Sequence, residues 1–220
     1  MLTIWGRPNS GCTQRSLWAL AEAGVPHQLI LASSIMGPDG HISTGAKPYG
    51  VVDTPEYLAM NPNGVVPTIK EGDFTLWESL AVVSWVALKH APQLYANDLD
   101  VFTRGVQWGS WANQHFDPPM YVFVFHLVRL APELRDAKLV EESRKTMIKK
   151  LQILEDQLAK APYLAGDTFT IADILVGPAV HRWFLFDLER PAMSNLEAWH
   201  RRMIERPAFQ AHVAPRELHF

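Results

Sequence analysis

At 220 residues, 48% apolar and 20% charged, the chain has an ordinary globular composition and enough length to bury a core without disulfide or metal staples. A net charge of -3, with scattered basic residues, gives no electrostatic reason to expect nucleic acid or an acidic membrane surface as a partner. Cys12 is the only cysteine, which excludes an intrachain disulfide and a thiolate metal cage. No run of about 18 apolar residues predicts a membrane span. The amino terminus lacks a secretion-signal pattern, so a cytoplasmic location is expected.

Residues 2–5, LTIW, read as a buried strand, and residues 13–23 as a helix. In that helix Leu17, Trp18, Leu20 and Ala21 recur at helical spacing, and Gly24 supplies a stop. A second strand covers residues 27–31. Residues 32–49, rich in Gly, Ser and Pro, read as a loop longer than compact domains usually carry. Asn61-Pro62-Asn63-Gly64 signals a turn. Strands follow at 65–70 and 74–77, joined across Glu71-Gly72-Asp73, and the second runs into a helix over 78–90. Strand–helix–strand predicts a right-handed parallel unit, and the tight later connection an antiparallel pair.

Beyond a Pro- and Asn-bearing connector the pattern is helical throughout. A helix over 101–128 is expected to bend or break at Pro118-Pro119, with further helices at 138–160, 170–185 and 195–205 and a short piece after Pro207. The fold class is α+β: a βαβ-ββα domain over residues 1–86, then an all-helical domain over 97–220.

Three separated motifs then carry a resemblance. "IWGRPNSGCTQRSLWALAEAG", "TPEYLAMNPNGVVPTIKEGDFTLWESLAVVSWVA" and "YLAGDTFTIADILVGP" resemble the cytosolic glutathione transferase family, in particular its serine-type bacterial, theta-like or nu-like members. The resemblance implies a thioredoxin-like domain that holds glutathione as co-substrate, helices that hold a small apolar electrophile, a homodimer, and no metal. Glutathione-dependent reductases, lyases and dehalogenases, and non-catalytic binding relatives, stand as alternatives on the same frame.

The residues themselves give reasons for these roles. Pro67 lacks a ladder donor inside an apolar strand. The resemblance implies a cis Val66-Pro67 bond, which leaves the Val66 backbone to pair with the cysteinyl residue of glutathione as an added strand would. Glu78 and Ser79 open a helix directly after a strand. Free N–H groups there suit the γ-glutamyl α-carboxylate, and Glu78 suits the neighbouring ammonium. A thiol with pKa near 8.5 is a poor nucleophile at neutral pH, and a hydroxyl at a helix amino terminus stabilises its anion.

Ser10 occupies that junction, and the resemblance implies that it, rather than Cys12, is the catalytic residue. Asn9 and Thr13 are candidate supporting groups or caps. Cys12 is either a second, redox-active thiol or a small buried apolar residue. Thr170 and Asp173 read as a capping box of structural value. Trp108, Trp111, His115 and Phe116, with Tyr121, are each read singly as core packing and together as a wall for the apolar substrate, with Arg182-Trp183 adding to its far side. Residues 32–49 are either a solvated insertion or a segment that closes over glutathione, with Lys47, rather than His41, on its glycine carboxylate.

Overall fold

In a computed structural model that describes residues 1–214, four strands form one mixed sheet against nine helices. Strand β1 (Leu2–Gly6) alternates buried and half-buried positions, so one face meets the core. Helix α1 (Gly11–Glu22) begins at Ser10 and buries the run from Thr13 to Leu20. Strand β2 (His27–Leu31) returns parallel to β1, as a strand–helix–strand unit requires.

Residues 32–49 are more structured than a solvated loop. Two short strands, β3 (Met36–Gly37) and β4 (Gly40–His41), pair as a hairpin and lead into a 3-10 turn at Ile42–Thr44. Ala32, Ser33, Met36 and His41 are buried. Gly37 is required there: a Cβ would stand 1.7 Å from the Lys47 carbonyl oxygen.

Helix α2 (Pro55–Met60) was not expected, although its signals are local. The Thr54 hydroxyl accepts from Tyr57 N–H, Pro55 sits at the first helical position, and Glu56 lies in the first turn. Val66-Pro67 is cis, as expected. Strand β5 (Thr68–Glu71) starts only after that proline, three residues later than the apolar pattern suggested. It runs antiparallel to β1, and β6 (Phe74–Trp77) antiparallel to β5, giving the order β2-β1-β5-β6. Helix α3 (Ser79–His90) follows through Glu78, which has φ 68 and makes no side-chain cap.

Helix α4 (Leu99–Trp111) packs on α7 (Ile171–Leu185). Gly105 and Gly109 permit the approach: a Cβ would lie 2.4 Å from Ile171 at the first and 2.6 Å from Leu175 and Leu80 at the second. The expected break at the prolines is a widening instead. A π turn at Ala112–Phe116 precedes α5 (Asp117–Phe123), and a second follows at Val124–Arg129. The Asp117 N–H reaches five residues back to Ala112, so the helix runs on through the widened turn, and Pro118 and Pro119, which lack N–H donors, fall in the first turn of α5.

Helices α6 (Ala137–Leu158), α8 (Ser194–Ile204) and α9 (Pro207–His212) complete the domain around α7, which is buried almost all round. The capping box at Thr170 and Asp173 is present. Asp173 accepts from Leu164 N, Thr170 N and Trp199 Nε1, while burial pushes its carboxyl up to about 6.

One core runs from Leu2, Ile4 and Ile69 of the sheet through Trp18 and Val86 to Leu175 and Trp199. Two buried or half-buried clamps join the halves. Arg15 donates to Asp117 at 2.8 Å, and Arg206 grips both carboxylate oxygens of Glu22 at 2.7 Å.

His181 Nδ1 and His200 Nε2 meet at 3.0 Å in the helical core. Burial, then Arg182 for His181 and the neighbouring His181 for His200, pushes both down to about 4. Between pH 6.5 and 4 the unfolded chain therefore binds protons that the native pair refuses, so their contribution is present above 6.5 and lost as pH falls. Asp173 acts in the opposite sense over part of that window. The expected result is that the thermal midpoint of the wild type falls more steeply across this range than that of His200→Gln, read by unfolding at a series of pH values.

Candidate active site

The strand register collects the predicted residues at one end of the sheet. Trp5 pairs with Thr68 and with Ile30, and Thr68 pairs with Trp77. The segments that continue from these pairs are Arg7–Ser10 after β1, Ser33–Ile35 after β2, Val65–Pro67 before β5 and Glu78–Ser79 after β6. All four leave the sheet at the same edge, the carboxyl end of its parallel pair, where open α/β sheets bind ligands.

A cleft of about 310 Å³ opens there. Arg7, Ser10 and Cys12 line it from the β1–α1 junction, Ser33, Ser34 and Ile35 from the hairpin segment, and Val65 and Val66 from the proline bend. Tyr121, Phe125 and Arg129 close it from the helical domain.

Ser10 is the amino-terminal cap of α1 and is 8% exposed. Its hydroxyl oxygen accepts from Thr13 N–H at 3.4 Å, which leaves the hydroxyl proton for a ligand. The first turn of α1 carries no acidic residue to compete for the positive helix end. Thr13 is fully buried and packs against Gly6, where a Cβ would lie 2.5 Å from its methyl group.

Asn9 ties the arginines together. Its side-chain oxygen accepts from Arg7 at 2.7 Å, and its carbonyl accepts from Arg129 at 3.3 Å and Arg182 at 2.7 Å. Cys12 is half-buried and faces the cleft, with its sulfur 3.7 Å from the Tyr121 hydroxyl. The neighbouring Cys12, then burial, raises the Tyr121 pKa above its usual value.

Val66 lines the cleft directly. Ser79 is buried and Glu78 exposed, both just outside the lining but beside Val66-Pro67 through the Thr68–Trp77 pairing.

Two sets of expected residues lie outside this cleft. Trp108, Trp111, His115 and Phe116 do not line the cleft. Trp108 Nε1 donates to the Leu164 carbonyl on another face, Trp111 meets Trp108 edge-on and Phe116 at a tilt, Phe116 is fully buried, and His115 is exposed. Trp108, Trp111 and Phe116 pack in or against the core, while His115 faces outward. The residues that reach the cleft, Tyr121, Phe125 and Arg129, recur every fourth position, a signal hidden by expecting a break at the prolines. Trp183 also belongs to the core, against Phe123.

Lys47 is exposed and lies outside the lining. The hairpin docks on the helical domain instead: Ser43 Oγ accepts from Ala131 N at 3.2 Å, and His41 sits edge-on to Phe125 at 5.6 Å. Burial, then Arg129 and Arg7, holds the His41 pKa below its usual value.

Residues 9–89 match the family model "Glutathione S-transferase, N-terminal domain", and residues 119–207 match "Glutathione S-transferase, C-terminal domain". The chain is 32% identical over 211 residues to glutathione S-transferase GstB of Escherichia coli (strain K12), spanning 94% of this chain and 95% of that one. It belongs to the glutathione S-transferase family. Glutathione S-transferase F13 of Arabidopsis thaliana is 30% identical over 223 residues, spanning 94% and 93%.

A solved theta class glutathione S-transferase from Xanthomonas axonopodis pv. citri, with glutathione bound, matches at TM-score 0.88 and 34% identity, covering 99% of this chain and 98% of that one. Glutathione is thus the co-substrate of this glutathione S-transferase. Among the described residues, no group of three or more His, Cys, Asp or Glu is placed to hold a metal, and no helix is long and apolar enough to cross a membrane.

Proposed function

We propose that this glutathione S-transferase ionises the thiol of glutathione with Ser10 and directs the thiolate at an electrophilic carbon whose apolar body lies against Ile35, Phe125 and Tyr121. The observation that carries this reading is the Ser10 hydroxyl. It caps α1, has its proton free, and opens on the cleft. The thiolate gains a hydrogen bond and the positive end of a helix, and both favour the anion.

The cysteinyl backbone pairs with Val66, the γ-glutamyl carboxylate takes the α3 amino end with Ser79, and Glu78 faces the ammonium group. Proximity does the rest, since thiolate and electrophile share one small cleft. The thiol proton passes to solvent and the electrophile either accepts the sulfur or loses a leaving group. A homodimer in the cytoplasm accords with the resemblance, and the exposed Phe74 and Leu88 give such a partner apolar surface.

Ser79→Ala is expected to weaken glutathione binding by roughly 5- to 150-fold, the cost of removing a partner from a charged ligand group, with little change in kcat at saturation. Calorimetric titration checks it; a wild-type dissociation constant would refute the Ser79 assignment. Cys12, in the same cleft, favours a second reading, thiol–disulfide exchange. That reading requires Cys12→Ala to abolish turnover, whereas the transferase reading requires Cys12→Ala to retain most of it.

A further inference from the structure

Arg7 and Arg129 are 6% and 5% exposed, yet both line the cleft. Their partners are neutral. Arg7 donates to the Asn9 side chain and Arg129 to the Asn9 carbonyl, while the Nε of each is buried without a partner. A third guanidinium, Arg182, shares the Asn9 carbonyl and the Gln14 side chain. The carboxylate close by, Asp117, is already engaged by Arg15 at 2.8 Å. Among the described residues, none of the three arginines forms an ion pair.

Buried charge without a counter-charge is costly. Burial, then the like charges around them, pushes Arg7 down to about 10 and Arg129 down to about 8. A guanidinium does not readily give up its proton, so an anion is the natural relief. The Phe125 ring lies 5.6 Å from the Arg129 guanidinium and offers an apolar surface beside the charge.

We propose that Arg7 and Arg129 form a carboxylate subsite for the second substrate, so that the electrophiles conjugated here carry an anionic group on an apolar body. The inference rests on the transferase reading above and names its substrate class. A carboxylate can also come from the glycine of glutathione. Arg129, however, belongs to the helical wall, where the second substrate lies, rather than to the sheet end that holds the peptide.

The probes are 4-chloro-3,5-dinitrobenzoate and its carboxamide, equal in size. The glutathione thiolate bonds to the carbon bearing chlorine, chloride leaves with the bonding pair, and the thiol proton goes to solvent. With each kcat/KM normalised to the uncatalysed reaction, the wild type is expected to prefer the acid by about tenfold or more, as a charged hydrogen bond allows. Arg129→Gln and Arg7→Gln should bring that preference close to one, and Arg129→Lys should recover part of it.

A second arm needs neither turnover nor a folded variant: benzoate and benzamide are titrated calorimetrically into the wild-type enzyme with and without glutathione, and benzoate is expected to bind about tenfold more tightly. Equal affinities overturn the proposal, as does an acid preference unchanged in both Gln variants. It is also overturned if Arg129→Gln weakens glutathione but not its glycyl ethyl ester, which would hand the subsite to glutathione. Loss of the subsite with normal glutathione binding and Ser10-dependent conjugation of neutral 1-chloro-2,4-dinitrobenzene leaves the transferase reading intact. Absence of both of those activities refutes the transferase reading itself.

Discussion

Replacing Ser10 by Ala is expected to lower kcat/KM for conjugation by roughly 10- to 150-fold, the loss that follows when a charged group gives up one hydrogen bond. Glutathione affinity should change by less than about threefold, because in the proposed mode the peptide is held by Val66, Ser79 and the α3 amino end rather than by its sulfur. The remaining activity comes from the positive end of α1 and from holding both reactants in one cleft. Steady-state kinetics with calorimetric binding separates these effects. Unchanged kcat/KM in Ser10→Ala, with Cys12→Ala inactive, would transfer the chemistry to the cysteine.

Asp117→Ala should give the largest loss of stability. Arg15 and Asp117 are 3% and 9% exposed, and the pair ties α1, which carries Ser10, to α5 in the helical domain. Burial alone would lower the Arg15 pKa, but Asp117 outweighs it and the net shift is upward. Removing the carboxylate strands a buried guanidinium, a change that costs about 3–5 kcal/mol. For a chain of this size that corresponds to a fall of roughly 6–20 °C in Tm. Asp117→Asn keeps an acceptor and should lose less. The double replacement Arg15→Met with Asp117→Leu should recover much of the loss, since two apolar groups leave no charge unpaired. Thermal unfolding of the three variants checks the order.

The apolar run LTIW, the helical spacing of Leu17, Leu20 and Ala21, and the tight Glu71-Gly72-Asp73 connection marked a parallel strand–helix–strand unit and an antiparallel pair, because each element is set by local pattern; that the two join through β1 and β5 was not legible along the chain. The capping box at Thr170 was equally plain. What escaped notice depends on tertiary context or on a departure from ideal geometry. Helix α2 is the exception: its signals at Thr54, Pro55 and Glu56 are local, but it spans only six residues. The π turns around Asp117 keep a helix running past two prolines, so the Tyr121, Phe125 and Arg129 stripe could not be phased from the residues before it.

Trp108, Trp111 and His115 form a true stripe, but aromatic residues at helical spacing serve a core as readily as a binding wall. Arg7, Arg129 and Arg182 lie far apart in sequence and converge only through the Asn9 carbonyl and side chain. No pattern along the chain marks that convergence. The hairpin at residues 36–41 was hidden because its strands are two residues each, too short to show a period.

The central claim is that Ser10 ionises bound glutathione, and its most direct measurement is the pH titration of thiolate absorbance in the enzyme–glutathione complex, with the spectrum of the free enzyme subtracted to remove Cys12. The wild type should show the bound thiol ionising well below the value near 8.5 of a free thiol, and Ser10→Ala should return it most of the way. A bound thiol that titrates at the same pH in both proteins would contradict the account.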